Sequence, residues 1–196
     1  MNKLIFATHN PNKVTEINHL LKEILEIRSL QDVGINDEIP EPHDTLEANA
    51  TEKSSYIYRI TNENCFSEDT GLEVEALEGE PGVRSARYAG EACDNLKNIH
   101  KLLTKLNNIP NRSAQFKTVI SLIIDGKEFQ FTGICKGKIT HEMKGLNGFG
   151  YDAVFIPDGA EKSFAEMTLE EKNKFSHRKK AIALLIDFLN HQHGKN

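Results

Sequence analysis

Residues 3–30, KLIFATHNPNKVTEINHLLKEILEIRSL, contain the pattern that decides the fold. The apolar run at 4–7 is typical of a short buried strand, and Asn10 followed by Pro11 is typical of the first turn of a helix. Apolar residues then recur at helical spacing as far as Leu25, and a second strand is predicted at 26–30. A strand, a helix and a strand in this order indicate an α/β protein.

Further helices are predicted from their N-terminal caps. Asp44, followed by Glu47, forms a possible capping box for a helix that reaches about residue 59. Asp94 is expected to cap a helix to about residue 106, and Ser176 to start the last helix. The predicted core face of that last helix consists of Ala181, Leu184, Leu185 and Leu189.

The predicted strands complete a mixed sheet. A hairpin is predicted at 114–135, with Asp125-Gly126 as its turn. Residues 65–76 are predicted to form two strand pieces around a turn at Thr70-Gly71. Residues 78–90 are predicted to be a loop, and residues 152–156 a strand. We therefore expect one α/β domain over residues 1–196 with a mixed sheet.

The composition excludes several classes of protein. A net charge of −5 at pH 7 argues against general nucleic-acid binding, which needs a positive field to neutralise phosphates. No apolar run is long enough to cross a bilayer, so we expect no membrane contact and a cytoplasmic location. Cys65, Cys93 and Cys135 lack CxxC spacing and are expected to be buried free thiols.

The first candidate site is THNPNK at 8–13, where a predicted strand meets a predicted helix. The N–H groups and partial positive charge of a helix N-terminus suit a phosphate, and Lys13 adds a full positive charge. The alternative is an ordinary capped helix with a solvated lysine, and residue types alone favour it.

The second candidate site is the acidic pair Glu68-Asp69. Because neighbouring strand residues point to opposite faces, only one of the two is expected to enter a given site. A carboxylate at a strand end can bind a hard cation or take a proton from water. The alternative, which stays open, is a turn in which the Asp69 side chain bonds nearby backbone.

Three further segments combine glycine, aromatic and basic residues. In GFGYD at 148–152, Phe149 and Tyr151 either stack on a base or pack into the core around a tight turn. Lys172 and SHRKK at 176–180 either face an anion at a helix start or form a solvated basic face. PGVRSARYAG at 81–90 either orders a ligand or an interface or is an exposed loop, which residue types favour.

Together these segments resemble the inosine triphosphate pyrophosphatase family, also called Ham1-like or non-canonical purine nucleoside triphosphate pyrophosphatases. Four motifs carry the resemblance in the family's order, namely EDTGL at 68–72, PGVRSARYAG at 81–90, GFGYD at 148–152 and SHR at 176–178. The resemblance implies hydrolysis of ITP, dITP and XTP to the monophosphate and pyrophosphate. It also implies an elongated mixed β-sheet with flanking helices, two lobes around a central active-site cleft, and a homodimer.

The resemblance also implies a role for each candidate residue. Asp69 would be the general base and would bind Mg²⁺ together with Glu41, while Lys13 would offset phosphate charge. The residues expected to hold the triphosphate are Thr8, His9, Asn10, Pro11, Asn12 and Lys13. Thr70 would contact the substrate. The residues expected at the nucleoside are Phe149, Gly150, Tyr151 and Asp152, with Lys172, His177 and Arg178 at the base edge and supporting the phosphates.

The sequence departs from the family pattern at a few positions. Ala48 stands where many members carry Glu, Asn147 where Gly is frequent, and Ala153 where Pro often follows. No departure removes a residue with an implied role, and whether Glu47 replaces the acid absent at 48 stays open. Two other functions also stay open, a related nucleotide pyrophosphatase with a different base preference and a nucleotide-binding protein without catalysis. The second would need neither Asp69 nor Glu41.

Overall fold

The computed structural model describes residues 3–21 and 24–193, and it confirms a mixed α/β fold. The ends of the predicted domain, at 1–2 and 194–196, and residues 22–23 of the predicted first helix lie outside the described residues. The strands are β1 (Lys3–Phe6), β2 (Glu26–Ser29), β3 (Cys65–Val74), β4 (Pro81–Gly82), β5 (Ser113–Ile124), β6 (Lys127–Ile139) and β7 (Phe155–Pro157). The helices are α1 (Pro11–Leu21), α2 (Leu46–Thr61), α3 (Asn95–Lys105), α4 (Leu169–Asn173) and α5 (His177–His193).

The seven strands found in the described residues form one mixed sheet. Its order is β2-β1-β3-β5-β6-β7, with β4 paired to β3. Strand β1 runs parallel to β2 and β3, whereas β4 is antiparallel to β3 and β7 is antiparallel to β6. Asp125 and Gly126 both have positive φ in the turn between β5 and β6, as the predicted hairpin requires.

The chain divides into two compact units, and each is discontinuous in sequence. Unit 1 comprises Met1–Asp69, Val119–Thr132 and Ala181–Asn196, and unit 2 comprises Thr70–Thr118 and Gly133–Lys180. In unit 1 the Phe6 and Phe66 rings stack 4.5 Å apart within an apolar cluster. The core of unit 2 includes Phe116, Phe155 and Phe164, whose rings contact one another.

Two predictions about local structure are wrong for identifiable reasons. The cap of α2 is Thr45 rather than Asp44, because Thr45 is extended and its hydroxyl accepts from the N–H of Ala48. Strand β3 continues through the predicted turn at Thr70-Gly71. A Cβ at Gly71 would lie 2.5 Å from the carbonyl oxygen of Gly82, so this glycine permits close backbone approach to β4.

Other boundaries also shift. The predicted loop at 78–90 contains β4 and a 3-10 turn at Ser85–Arg87, and the predicted strand at 152–156 begins with a 3-10 turn at Asp152–Val154. The predicted core face of α5 is wrong at Leu184, which is 49% exposed. The buried face of α5 instead includes Ile182, together with Ala181, Leu185 and Leu189. Cys65 and Cys135 are buried as expected, but Cys93 is exposed on a loop. Within the described residues, no helix combines the length and apolarity needed to cross a membrane.

Candidate active site

The start of α1 in unit 1 has the predicted cap. Asn10 Oδ1 accepts from the N–H groups of Asn12 at 3.0 Å and Lys13 at 3.2 Å. The N–H of Val14 donates to the carbonyl of Asn10, and Pro11 has no N–H to donate. Since the first-turn donors are used within the helix start, an anion bound here would rely mainly on side chains such as Lys13.

The loop before α1 is held by local contacts. Thr8 Oγ1 accepts from the N–H of Asn10 at 3.2 Å, which orders the turn between β1 and α1. His9 Nε2 lies 2.8 Å from the carbonyl oxygen of Asp37, so the ring is tied to the acidic loop before α2. These contacts fix the backbone that carries Lys13.

Lys13 faces a buried acid on β3. Its Nζ lies 3.3 Å from Glu68 Oε1, and the Glu68 side chain is fully buried. The Lys13 side chain itself is 14% exposed, so a positive charge stands at the edge of a low-dielectric region. An ion pair in such a place interacts more strongly with a further charge than a pair in open solvent.

Lys53, which the sequence motifs do not include, joins Glu41 and Asp69 in a charged cluster of unit 1, called here the unit 1 cluster. Lys53, on α2, is only 5% exposed. Its Nζ lies 2.6 Å from Glu41 Oε1 and 3.0 Å from Asp69 Oδ1. A signal was present in the sequence, because Lys53 falls on the same helical stripe as Leu46, Ala50 and Ile57, which are buried.

Burial and neighbouring charges shift the pKa values of this group. Burial raises the pKa of Asp69 above its usual value, against the opposing effects of Lys53 and Lys13, and Glu41 adds to the rise. Burial alone would lower the pKa of Lys53, but the attraction of Asp69 and Glu41 raises it above its usual value. The Lys53 ammonium is therefore charged at neutral pH, beside a carboxylate with increased basicity.

The donor set around Asp69 fits a hard cation that takes only part of its coordination from protein. Within the described residues, no three His, Cys, Asp or Glu side chains gather as a complete metal site. Glu41 and Asp69 nevertheless each place an oxygen within 3.0 Å of the same Nζ atom. Mg²⁺ is commonly held by one or two carboxylates, with water and phosphate oxygens completing its shell.

A second cluster lies in unit 2 and is organised by Asp152. Its Oδ2 accepts from the N–H of Phe149 at 3.0 Å and from Lys172 Nζ at 2.7 Å. Gly148 has φ +75°, and a Cβ there would lie 2.1 Å from Asp152 Oδ2. Asp152 therefore closes the 148–152 turn and holds the Lys172 side chain.

The Phe149 ring is flanked by two buried cations. Lys172 Nζ lies 5.3 Å and Arg178 Cζ 5.8 Å from its centroid, within the range of cation–π attraction. Arg178 is 1% exposed and His177 is 3% exposed. The His177 ring stacks on Phe116 at 4.7 Å between centroids. The predicted basic residues Lys172, His177 and Arg178 therefore lie against aromatic rings of unit 2.

Tyr151 and Thr70 are held by other residues of unit 2. Tyr151 is 4% exposed, and its hydroxyl donates to the carbonyl of Ser85 at 2.9 Å, as expected for an aromatic packed into the core. Burial raises its pKa above the usual value. Thr70 Oγ1 lies 2.6 Å from Thr118 Oγ1, in a pair of strand hydroxyls. Gly150 has φ +60°, and a Cβ at this position would meet no atom within 4 Å.

The segment at 81–90 is an ordered scaffold rather than a plain loop. Ser85 Oγ accepts from the N–H of Leu72 at 2.8 Å and donates to the carbonyl of Gly82. Asn98 on α3 accepts from the N–H of Ala89 and donates to the carbonyl of Ala86. These bonds fix the backbone carbonyl of Ser85 that receives the Tyr151 hydroxyl.

Comparison with known proteins identifies the family of the chain. A family model described as the Ham1 family matches residues 4–188. The chain belongs to the Ham1 family. This confirms the resemblance that the four motifs indicated.

Similar Ham1 proteins match over nearly the whole chain. A dITP/XTP pyrophosphatase of Flavobacterium johnsoniae is 52% identical over 187 residues, covering 95% of this chain and 97% of the relative. A dITP/XTP pyrophosphatase of Porphyromonas gingivalis is 52% identical over 191 residues, covering 96% and 98%. The solved structure of the Staphylococcus aureus Ham1 protein aligns with a TM-score of 0.88 at 36% identity, covering 97% of this chain and 100% of that chain.

Proposed function

We propose that this Ham1 protein hydrolyses non-canonical purine nucleoside triphosphates, such as ITP, dITP and XTP, to the nucleoside monophosphate and pyrophosphate. The observation that carries the proposal is the unit 1 cluster, in which Asp69 contacts Lys53 and lies beside Lys13 and Glu41. The names of the similar proteins, dITP/XTP pyrophosphatases over nearly their full length, support this substrate class.

The cluster in unit 1 has the charges that triphosphate hydrolysis needs. A triphosphate carries about four negative charges, which repel an attacking oxygen unless fixed cations offset them. Lys13 and Lys53 are two such cations, and each is positioned by carboxylates before the nucleotide binds. Fixed charges of this kind stabilise the transition state without reorganising during the reaction. Cleavage between the α and β phosphates releases pyrophosphate as one unit.

Asp69 is the proposed general base. Its carboxylate is largely buried, and burial raises its pKa toward the range in which proton transfer from water is effective. Before the metal binds, Lys53 restricts its orientation through the 3.0 Å contact to Oδ1. In this proposal Asp69 orients the attacking water and takes its proton.

Glu41 and Asp69 are the proposed ligands of Mg²⁺. Both are oxygen donors, which Mg²⁺ prefers. When bound, the ion would neutralise phosphate oxygens and lower the charge repulsion. The protein's share of the work is to place the two carboxylates and the lysines around it.

The cluster in unit 2 is the proposed reader of the purine. Phe149 offers an aromatic face, and base–aromatic stacking contributes about 1–3 kcal/mol. Lys172, His177 and Arg178 supply donors for the 6-keto oxygen of hypoxanthine or xanthine. A donor at that position would face the amino group of adenine and remain unpaired, which disfavours ATP. Tyr151 supports the turn that carries Phe149, through its bond to Ser85.

Pyrophosphate release from a panel of triphosphates tests the proposal. We expect faster hydrolysis of ITP, dITP and XTP than of ATP, GTP, CTP or UTP. Equal rates on ATP and ITP would contradict the proposed base preference. A preference for a modified pyrimidine would favour the related pyrophosphatase, and binding without hydrolysis would favour the non-catalytic protein.

We also propose that the protein is a homodimer in the cytoplasm. The dimer, with its interface away from Lys13 and Asp69, rests on the family resemblance. The cytoplasmic location is supported by three free cysteines, since thiols persist in reducing compartments. Light scattering at micromolar concentration should give a dimer mass, and a monomer mass would contradict this part of the proposal.

A further inference from the structure

Lys53 takes the position between the two carboxylates that are proposed to bind Mg²⁺. Its ammonium contacts Glu41 Oε1 at 2.6 Å and Asp69 Oδ1 at 3.0 Å. We propose that Lys53 is an internal counter-ion that competes with the divalent cation for Glu41 and Asp69 and must leave them when the cation binds. This inference rests on the proposed function, because it deepens the assignment of these two acids to the metal.

The two cations exclude one another for steric and electrostatic reasons. Mg²⁺ would bind the carboxylate oxygens at about 2.1 Å, which is shorter than either ammonium contact. An ion at these oxygens would meet the Lys53 ammonium at close range, and like charges repel strongly in a region of low dielectric. Lys53 is 5% exposed, so water provides little screening there.

The contacts of Lys53 with Glu41 and Asp69 also stabilise the two carboxylates while no metal ion is bound. Glu41 and Asp69 both place an oxygen against the Lys53 ammonium, and two carboxylates that approach the same point repel one another unless a cation lies between them. Lys53 supplies that cation and orients both acids. The protein therefore holds its proposed metal ligands in a paired arrangement before the metal binds.

Displacement of Lys53 couples the cation to the nucleotide. Phosphate oxygens would receive the displaced ammonium, whose flexible stem allows a short movement. A cation that arrives alone provides no such acceptor, so it must displace Lys53 without compensation. The cation and the triphosphate should therefore bind with positive coupling, and the protein alone should bind the cation weakly.

Mn²⁺ binding to the whole protein without nucleotide tests this competition. Electron paramagnetic resonance of free Mn²⁺ would give the affinity of the wild type and of Lys53→Met, which keeps the length of the side chain but removes its charge. We expect Lys53→Met to bind one Mn²⁺ about tenfold more tightly or better. The gain should disappear in the double variant Lys53→Met/Asp69→Asn.

Lys172→Met is the matched control. Lys172 is equally buried at 5% exposure and also pairs with a carboxylate, Asp152, at 2.7 Å. Removing its charge should not increase Mn²⁺ affinity, because Glu41 and Asp69 keep their ammonium. An equal gain in Lys172→Met would show a general effect of charge and would overturn the inference.

A folded Lys53→Met protein with unchanged Mn²⁺ affinity would also overturn it. If Lys53→Met fails to fold, acylation of the wild-type lysines, followed by mass spectrometry, gives a second test. Saturating Mn²⁺ should accelerate acylation of Lys53 relative to Lys172, and an unchanged ratio would reject displacement. If ITP hydrolysis depends on metal but either test gives an unchanged value, the competition by Lys53 is rejected. The proposed function then still stands.

Discussion

The hydroxyl of Tyr151 donates a hydrogen bond of 2.9 Å to the backbone carbonyl of Ser85. The two residues are 66 positions apart in sequence, and both are buried within unit 2. The bond connects the turn that carries Phe149 to the scaffold at 81–90. Tyr151 therefore supports the shape of the proposed base site rather than offering an exposed ring.

Tyr151→Phe should lower stability and leave base selectivity largely intact. The substitution keeps the packed ring but removes the donor to a buried carbonyl, which typically costs about 1–3 kcal/mol. Urea unfolding would measure the change in the free energy of unfolding. Tyr56→Phe is the control, because Tyr56 is a half-buried tyrosine on α2. An unchanged free energy of unfolding would contradict a supporting role for the hydroxyl.

Asp69→Asn should reduce turnover of ITP by about 100-fold or more, as is typical when a general base is lost. The substitution keeps the shape of the side chain but removes its charge and basicity. Steady-state kinetics and nucleotide-binding measurements would separate turnover from base binding, which should change little. Glu73→Gln is the control on the same strand, because Glu73 contacts Gln115 outside the cluster. Comparable losses in both variants would point to a general effect of charge on β3.

His177→Ala and Arg178→Ala should affect ITP more than ATP. If these side chains read the 6-keto oxygen, each loss costs about 1–3 kcal/mol with ITP, and the ratio of the two specificity constants shrinks. Both residues are deeply buried, so thermal melting curves must accompany the kinetics. Proportional losses on both substrates, with a lower melting temperature, would instead assign the pair to the fold.

Removal of divalent cations should abolish hydrolysis. Glu41 and Asp69 are proposed to bind Mg²⁺, and Lys13 and Lys53 alone leave much of the triphosphate charge uncompensated. Pyrophosphate release would be measured after exhaustive EDTA treatment and again after addition of Mg²⁺. Full activity without added metal would exclude the proposed ion.

Acid should weaken the capped turn at Thr168–Glu171. Hydrogen bonding to the backbone N–H of Thr168 and to Lys162 holds the pKa of Glu171 below its usual value of 4.5. A lowered native pKa gives stability that is present above the unfolded pKa and is lost as pH falls through the native value. Unfolding measured between neutral pH and pH 3 should show this loss. Glu171→Gln, which retains the capping geometry but does not titrate, should flatten that pH dependence.

Features encoded by neighbouring residues were predictable from sequence. Asn10 caps α1 and Asp125-Gly126 turns the β5–β6 hairpin, because each depends on residues close in the chain. The family motifs also contain Asp69 of the first cluster and Asp152 and Arg178 of the second. These predictions required no knowledge of tertiary packing.

Features that depend on distant partners were missed. Sequence alone predicts a turn at Gly71, since its close approach to Gly82 exists only once β3 and β4 pair. Lys53 was overlooked because a single lysine in a helix is usually solvated, although its place on the buried stripe was visible. The orientation of Tyr151 likewise depended on Ser85, which sequence spacing does not reveal.

The discontinuity of the two units constrains how the gene can recombine. Unit 1 includes both the first and the last stretches of the chain, whereas unit 2 lies wholly within Thr70–Lys180. A single crossover between two homologous genes therefore always builds unit 1, with Asp69 and Lys53, from both parents. Unit 2 is inherited intact whenever the crossover falls before codon 70 or after codon 180. The residues proposed to read the base can thus pass between lineages as one block, with Arg178 included, while the segments of unit 1 must remain mutually compatible after every exchange.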